Sequence, residues 1–129
     1  MAMLLLDSHV ALWVLDDNPR LGKRARDAIS TSSRVYVSAA TVWELTIKAM
    51  LGKLSVPVPL GARLVDQGLS LLSITAEHAE GLRAFPELAR HDPFDRLIVA
   101  QAGLAGLQLL TTDPMLLALD RQYIVDATR

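Results

Sequence analysis

Residues 91–114, HDPFDRLIVAQAGLAGLQLLTTDP, carry the clearest indication of the fold class. Asp92-Pro93 is typical of a helix start, because Asp caps helices and Pro is tolerated at the first helical position. The apolar residues that follow predict a helix ending near Gly106, and Leu107–Leu110 predicts a buried strand. Asp113-Pro114 then marks another helix start. A helix, a buried strand and an acid directly after the strand are typical of an α/β fold.

The same alternation extends through the rest of the chain. Short apolar runs predict further strands at Met3–Leu6, Val35–Val37, Leu69–Ile74 and Tyr123–Val125. Helical spacing and caps predict further helices at Val10–Leu15, Leu21–Ser30, Ser38 to about Leu51, Leu60–Gln67, Thr75–Phe85 and Pro114–Leu119. Strands separated by helices imply right-handed crossovers. The sequence therefore predicts one domain, residues 1–129, folded as an α/β/α sandwich around a mostly parallel sheet.

Composition narrows the possible classes. The chain has 129 residues, of which 51% are hydrophobic, so it can bury a core. It has no cysteine, which excludes a thiolate metal site and suits a reducing cytoplasm, where we expect the protein. No apolar run reaches the roughly 20 residues of a membrane helix, and none resembles a signal peptide. The net charge of −1 neither supports nor excludes a nucleic-acid substrate.

Four acidic residues fall at one edge of the predicted sheet. Asp7 and Asp113 directly follow strands, Glu44 lies near the start of the helix after the second strand, and Asp95 lies in the first turn of the 91–114 helix. Ligands of open parallel sheets bind at the carboxyl ends of the strands. Clustered carboxylates repel each other, and a hard divalent ion removes that repulsion. The pattern indicates a site for Mg²⁺ or Mn²⁺.

Each acid also has a structural interpretation. Asp92 and Asp113 both precede proline and fit helix caps, and Asp95 could complete a capping box with Asp92. Glu44 could form a capping box with Thr41 if its helix began late. Capping explains the acids singly, but not why all fall at one edge.

Four segments in order resemble the signatures of PIN-domain nucleases, and especially the VapC-type toxins of bacterial toxin–antitoxin pairs that carry a DPFDR segment. These segments span nearly the whole chain: LLLDSH at Leu4–His9, VWELTIK at Val42–Lys48, HDPFDRLIVAQA at His91–Ala102 and LLTTDP at Leu109–Pro114. The resemblance implies an Mg²⁺- or Mn²⁺-dependent endoribonuclease, in which metal-activated water cleaves RNA to leave a 5′-phosphate and a 3′-hydroxyl. It also implies a homodimer and a cognate VapB-type antitoxin.

The resemblance gives Asp7, Glu44, Asp95 and Asp113 the catalytic and metal-binding roles. Asp7 and Asp95 would be the main ligands, while Glu44 and Asp113 would complete the site. Supporting residues are expected around them, with a carboxylate hydrogen bond from Thr111, a weaker contribution from Ser8, and capping or indirect support from Asp92.

Several other residues have two interpretations. Arg20, Lys23 and Arg24 form a basic group, joined in sequence by Arg26, that is either a solvated helix face or an RNA contact. Arg96 could contact RNA or pair with an acid.

Several of the aromatic and histidine residues also have two interpretations each. We expect Trp13 and Trp43 in the core, with a protein interface as the alternative. His9 and His91 lie beside motif acids, but Mg²⁺ sites rarely use imidazole, so a phosphate contact is the more natural functional interpretation. His78 reads as an ordinary helix residue.

Three alternative functions stay open. A phospho-receiver domain is also short and binds Mg²⁺, but it needs an acceptor Asp after its middle strand and a Lys after its last strand. Here Ser73-Ile74-Thr75 and Asp126 follow those strands. A PIN fold with an inactive site, kept for protein interaction, and a housekeeping PIN nuclease without an antitoxin are the others.

Overall fold

A computed structural model describes residues 3–129. The five strands are β1 (Met3–Leu6), β2 (Arg34–Ser38), β3 (Ser70–Leu72), β4 (Gln108–Thr111) and β5 (Ile124–Asp126). The helices are α1 (Ser8–Leu15), α2 (Lys23–Thr31), α3 (Ala39–Met50), α4 (Leu60–Asp66), α5 (Ala76–Glu80), α6 (Pro93–Ala105) and α7 (Pro114–Leu117). Two 3₁₀ turns, Gly81–Ala84 and Pro86–Leu88, connect α5 to α6.

The strands form one sheet in the order β3-β2-β1-β4-β5, and every pairing is parallel. β1 lies at the centre, between β2 and β4. The predicted α/β/α sandwich with a mostly parallel sheet is confirmed. β4 and β5 begin one residue later than predicted, and β3 is shorter.

Helices cover both faces of the sheet, as parallel strands require. Leu4 and Leu6 of β1 point into one core, with α1, α2 and α4 packed over it. Leu5 points the other way into a second core, which holds the apolar side of α6. This alternation explains the apolar run Leu4–Leu6, because both faces of the strand are buried there, whereas Met3 is exposed.

Local signals set most helix ends. Ser38 caps α3 by accepting a hydrogen bond from Ala40 N, so α3 starts where the sequence predicts and not at a late Thr41 cap. Gly106 ends α6 in the left-handed conformation, with φ of 68°. That conformation is readily accessible to glycine.

The predicted helix from Thr75 to Phe85 is wrong in its length. α5 ends at Glu80, and the chain continues as a 3₁₀ turn from Gly81, where it lies so close to α6 that a Cβ would be 2.7 Å from Leu104 Cδ1. His78 does more than expected of it, since its Nδ1 accepts from Thr75 N and completes a capping box.

The sheet order places the carboxyl ends of β1, β2 and β4 side by side. Asp7 follows β1 and caps α1, α3 follows β2 without a gap, and Asp113 follows β4 and caps α7. The acids from three separate stretches therefore reach the same edge. Among residues 3–129, no helix is both long enough and apolar enough to cross a membrane.

Candidate metal centre

The carboxyl edge of the sheet carries a cavity of about 370 Å³. All four acids predicted for the metal site line it, together with the helix cap Asp92. The full lining is Asp7, Ser8, His9, Glu44, Lys48, Asp92, Asp95, Thr112, Asp113 and Pro114. The fold thus brings together residues from both ends and the middle of the chain.

Asp7 is buried at the end of β1 and is held by three donors. Its Oδ1 accepts from Val10 N at 2.9 Å, which is the cap of α1. Its Oδ2 accepts from Thr111 Oγ1 at 2.5 Å and from Thr112 N at 3.4 Å. Thr111 is fully buried on β4, and its Oγ1 also accepts from Asp113 N. The threonine links the two acids that follow adjacent strands.

Glu44 is also buried, and each of its carboxylate oxygens has its own donor. Ser8 Oγ donates to Oε1 at 2.5 Å, and Lys48 Nζ donates to Oε2 at 2.7 Å. Ser8 comes from α1 and Lys48 from the next turn of α3, so the carboxylate is fixed from two directions. The ion pair raises the pKa of Lys48 above its usual value, mainly through the hydrogen bond to Glu44.

Asp95 and Asp113 are held more loosely. Asp113 Oδ1 caps α7 by accepting from Met115 N, while its Oδ2 lies 3.3 Å from His91 Nε2. Asp95 Oδ2 lies 3.4 Å from the same His91 nitrogen. His91, Asp95 and Asp113 each offer one ligand atom, and these atoms all lie within 4.8 Å of one another.

Asp92 caps α6, since its Oδ1 accepts from Phe94 N and Asp95 N. The side chain of Asp95 lies against His91, and only the forward half of the possible capping box is present. Asp92 also lines the cavity, so its negative charge adds to that of the other acids.

Burial disfavours the ionised form of Asp7, and burial together with repulsion from nearby acids disfavours the ionised form of Asp95. Desolvation raises the pKa of Asp7 above its ordinary value, against the effect of the Thr111 hydrogen bond. Desolvation, followed by the charges of Asp92, Asp113 and Glu44, raises the pKa of Asp95 to about 7. A divalent cation in the cavity would reverse both effects, because it favours the ionised form.

The donor set fits a small divalent ion. Carboxylate oxygens from Asp95 and Asp113 converge with one imidazole nitrogen, and Asp7 and Glu44 keep further oxygen lone pairs on the same cavity wall. Hard ions of the Mg²⁺ type take oxygen ligands, and Mn²⁺ accepts oxygen as well as nitrogen.

Residues predicted to contact RNA lie elsewhere. Arg20, Lys23, Arg24 and Arg96 are not among the residues that line the cavity. Lys23 pairs with Asp27 on the exposed side of α2. The guanidinium of Arg96 donates to Ala89 O at 2.7 Å and ties α6 to the turn before it. Their RNA contacts stay a prediction.

The expectation that Trp43 lies in the core is wrong. Its side chain is 61% exposed, and its ring meets Phe94 edge-on with centroids 5.3 Å apart. Glu44 and Leu45 take the inward face of α3, and successive helical residues are turned by about 100°, which leaves Trp43 outside. Trp13 is partly buried against the first core, as expected.

Sequence reasoning missed Lys48 and undervalued His91. Glu44 and Lys48 are four residues apart, which is the spacing of helical ion pairs, so the signal for Lys48 was present. His91 stands beside a motif acid, but its contact with Asp113 spans 22 residues and depends on the path of a turn.

The sheet order and the four acids that converge at the carboxyl edge of the sheet together indicate the protein family to which the chain belongs. The PIN domain family model matches residues 4–122, and the chain belongs to the PIN-domain family.

Individual relatives point to the VapC group, as the sequence motifs predicted. Ribonuclease VapC22 of Mycobacterium tuberculosis is 33% identical over 115 residues, which is 88% of each chain. A DNA-bound VapBC from Salmonella typhimurium is 26% identical, with a TM-score of 0.56 and coverage of 87% of each chain. A toxin–antitoxin complex from Klebsiella pneumoniae has the same fold, with a TM-score of 0.66 at 17% identity over 96% of this chain and 97% of that one.

Proposed function

We propose that this protein is a metal-dependent endoribonuclease that acts as the toxin of a VapBC-type toxin–antitoxin pair. The observation that carries the proposal is the convergence of Asp7, Glu44, Asp95 and Asp113 in one cavity of a PIN-domain protein. The similarity to Ribonuclease VapC22 supports RNA as the substrate. A cytoplasmic location stays a prediction from the sequence.

The metal requirement follows from the electrostatics of the cavity. Four acids and Asp92 line it, and Lys48 and His9 are the only basic side chains among its lining residues. An RNA phosphate would add further negative charge to this surface. A bound Mg²⁺ or Mn²⁺ would neutralise that charge and make a water molecule a better nucleophile.

The residues around the two buried acids hold their carboxylates in position. Thr111 and the Val10 amide hold Asp7 in one orientation, and Ser8 and Lys48 do the same for Glu44. Fixed carboxylates need no rearrangement when substrate binds.

Lys48 also brings a positive charge to the cavity wall. With 39% of its side chain exposed, its ammonium group is able to meet a phosphate oxygen. Arg20, Lys23 and Arg24 would contact the RNA backbone, if at all, away from the reacting phosphate.

A protein partner is part of the proposal. Relatives of the same fold were solved as toxin–antitoxin or VapBC complexes. A cognate VapB-type antitoxin would cover the acidic cavity, and the active unit would be a homodimer, as the family resemblance implies.

The decisive experiment measures cleavage of a mixed-sequence, end-labelled RNA by the purified protein with Mg²⁺, Mn²⁺ or EDTA. Asp7→Asn should lower the cleavage rate by about 100-fold or more, since even groups that only support metal ligands contribute roughly 10–100-fold. Asparagine still caps helices well, so α1 should form.

Products should carry a 5′-phosphate, which is detected by direct ligation. Cleavage that persists in EDTA, or an Asp7→Asn variant with the wild-type rate, would contradict the proposal. Asp16→Asn, an exposed acid at the far end of α1, is the matched control and should leave cleavage unchanged.

A further inference from the structure

His91 contacts two of the acids that line the cavity. Its Nε2 points between two acids, at 3.4 Å from Asp95 Oδ2 and 3.3 Å from Asp113 Oδ2. The side chain is only 10% exposed, and the turn before α6 fixes its backbone through His91 N donating to Leu88 O. One nitrogen therefore faces two carboxylates from different elements.

Both distances are long for hydrogen bonds between charged groups. Such bonds between nitrogen and carboxylate oxygen are usually about 2.7–2.9 Å long. A single Nε2–H is also unable to point at both acids along a straight line. A simple ion pair thus explains the arrangement incompletely.

The same distances suit neighbouring ligands of one small ion. Ligand atoms about 2.1 Å from an octahedral ion lie about 3 Å from each other when they are adjacent in its shell. The two His91 separations are close to this value, and all three ligand atoms lie within 4.8 Å of one another.

We propose that His91 Nε2 is a direct ligand of the catalytic ion, together with Asp95 and Asp113. This inference rests on the proposed metal-dependent function. Ligation requires the neutral imidazole with its proton on Nδ1.

An imidazole ligand gives the site a preference among metals. Mg²⁺ binds mainly through oxygen, whereas imidazole nitrogen suits transition metals. His91 would shift the balance from Mg²⁺ towards Mn²⁺ and Co²⁺. Removing it should weaken Mn²⁺ and Co²⁺ binding more than Mg²⁺ binding.

The test is the electron spin-echo spectrum of Mn²⁺ bound to the full-length protein without RNA. A coordinated imidazole produces a ¹⁴N modulation, which should change when the protein is labelled with ¹⁵N-histidine. The signal should vanish in His91→Gln and His91→Ala, and the Kd for Mn²⁺ should rise about tenfold or more, with a smaller change for Mg²⁺.

His9→Ala is the matched control, because His9 lines the acidic cavity but is exposed on α1. It should keep the nitrogen signal. Loss of the signal in His9→Ala instead, or no nitrogen coupling in a wild-type protein that binds Mn²⁺, would overturn the assignment. So would tighter Mn²⁺ binding in His91→Gln, since that outcome identifies His91 as a counter-ion that the metal displaces.

These outcomes are separate from the fate of the nuclease proposal. A protein that cleaves RNA with Mn²⁺ but shows no nitrogen coupling refutes only the role of His91. A protein that shows the coupling but leaves RNA intact refutes only the nuclease. Circular dichroism of both His91 variants checks folding, and His91→Gln keeps most of the side-chain volume.

Discussion

The two sides of the acidic cavity are built differently. On one side, Asp7 and Glu44 are buried, and every carboxylate oxygen accepts at least one protein hydrogen bond. On the other side, the side chains of Asp95 and Asp113 are 22% and 27% exposed, and they share the single nitrogen of His91. We call these the held side and the open side.

The contrast indicates that the two sides of the cavity have different roles. The held side resembles a folded core with satisfied polar groups, so its geometry is set before any ligand arrives. The open side keeps unbalanced negative charge, which favours a cation strongly but costs stability without one. The site therefore combines carboxylates of fixed orientation on the held side with uncompensated negative charge on the open side.

Asp95→Asn should change the contrast between the two sides most. Cleavage should fall about 100-fold or more, since the proposed metal site would lose a ligand. The metal-free protein should nevertheless become more stable by about 2 kcal/mol at pH 8. One pKa unit corresponds to about 1.4 kcal/mol, and solvent screens the partly exposed side chain. Urea unfolding in metal-free buffer measures this gain.

The pH dependence follows from the pKa of about 7 at Asp95, against an ordinary value of 3.8 for an aspartate side chain. Between these values the folded protein keeps a proton that the unfolded chain has lost. The metal-free wild type should therefore lose stability as pH rises from about 4 to about 7, and should change little from this group above that. Asp95→Asn should flatten the slope, while Asp16→Asn should not. An unchanged slope would show that Asp95 carries no unfavourable charge.

The second test concerns the held side, where Thr111→Val removes a buried donor while keeping the side-chain shape. Asp7 Oδ2 would keep only the 3.4 Å contact to Thr112 N, and Asp113 N would lose its acceptor. We expect a loss of about 2 kcal/mol in the free energy of unfolding, because a buried carboxylate oxygen and a partly buried amide lose partners. Cleavage should fall by about tenfold.

Thr46→Val is the matched control for this substitution. Its hydroxyl donates to Val42 O on the exposed side of α3, outside the cavity. It should change unfolding and cleavage little. Equal effects of the two substitutions would mean that the Thr111 hydrogen bond does not distinguish the held side.

The contrast between the two sides also shows how much of the site can be predicted from the sequence. Asp7 and Asp113 were placed correctly at the sheet edge, because each directly follows a buried strand and strand ends are visible in the sequence. Their hydrogen-bonded link through Thr111 crosses 104 residues to Asp7 and depends on β1 pairing with β4. That pairing is a property of the fold.

The error at Trp43 lies one residue away from a motif acid on a helix, and Arg96, whose RNA contact stays a prediction, has the same position relative to Asp95. Trp43 and Arg96 stand next to Glu44 and Asp95 in sequence, and a helix turns by about 100° at each step. Trp43 therefore faces solvent, and Arg96 turns back to Ala89. At a strand end, a position next to the strand in sequence is enough to place a residue at the site. On a helix, the rotation of the residue about the helix axis determines whether it faces the site.

The finest test compares the two donors that hold Glu44. Ser8→Ala removes a buried donor, and Lys48→Met removes a donor whose side chain is 39% exposed. Because water replaces an exposed partner more easily, Ser8→Ala should cost about 1 kcal/mol of unfolding free energy and Lys48→Met about 0.5 kcal/mol. Raising the salt concentration should shrink the Lys48 effect and leave the Ser8 effect, since only the ion pair is screened. Lys53→Met, an exposed lysine just beyond α3, controls for the loss of a positive charge. A larger cost for Lys48→Met than for Ser8→Ala would show that charge, and not burial, fixes Glu44, and that the held side depends on the same electrostatics as the open side.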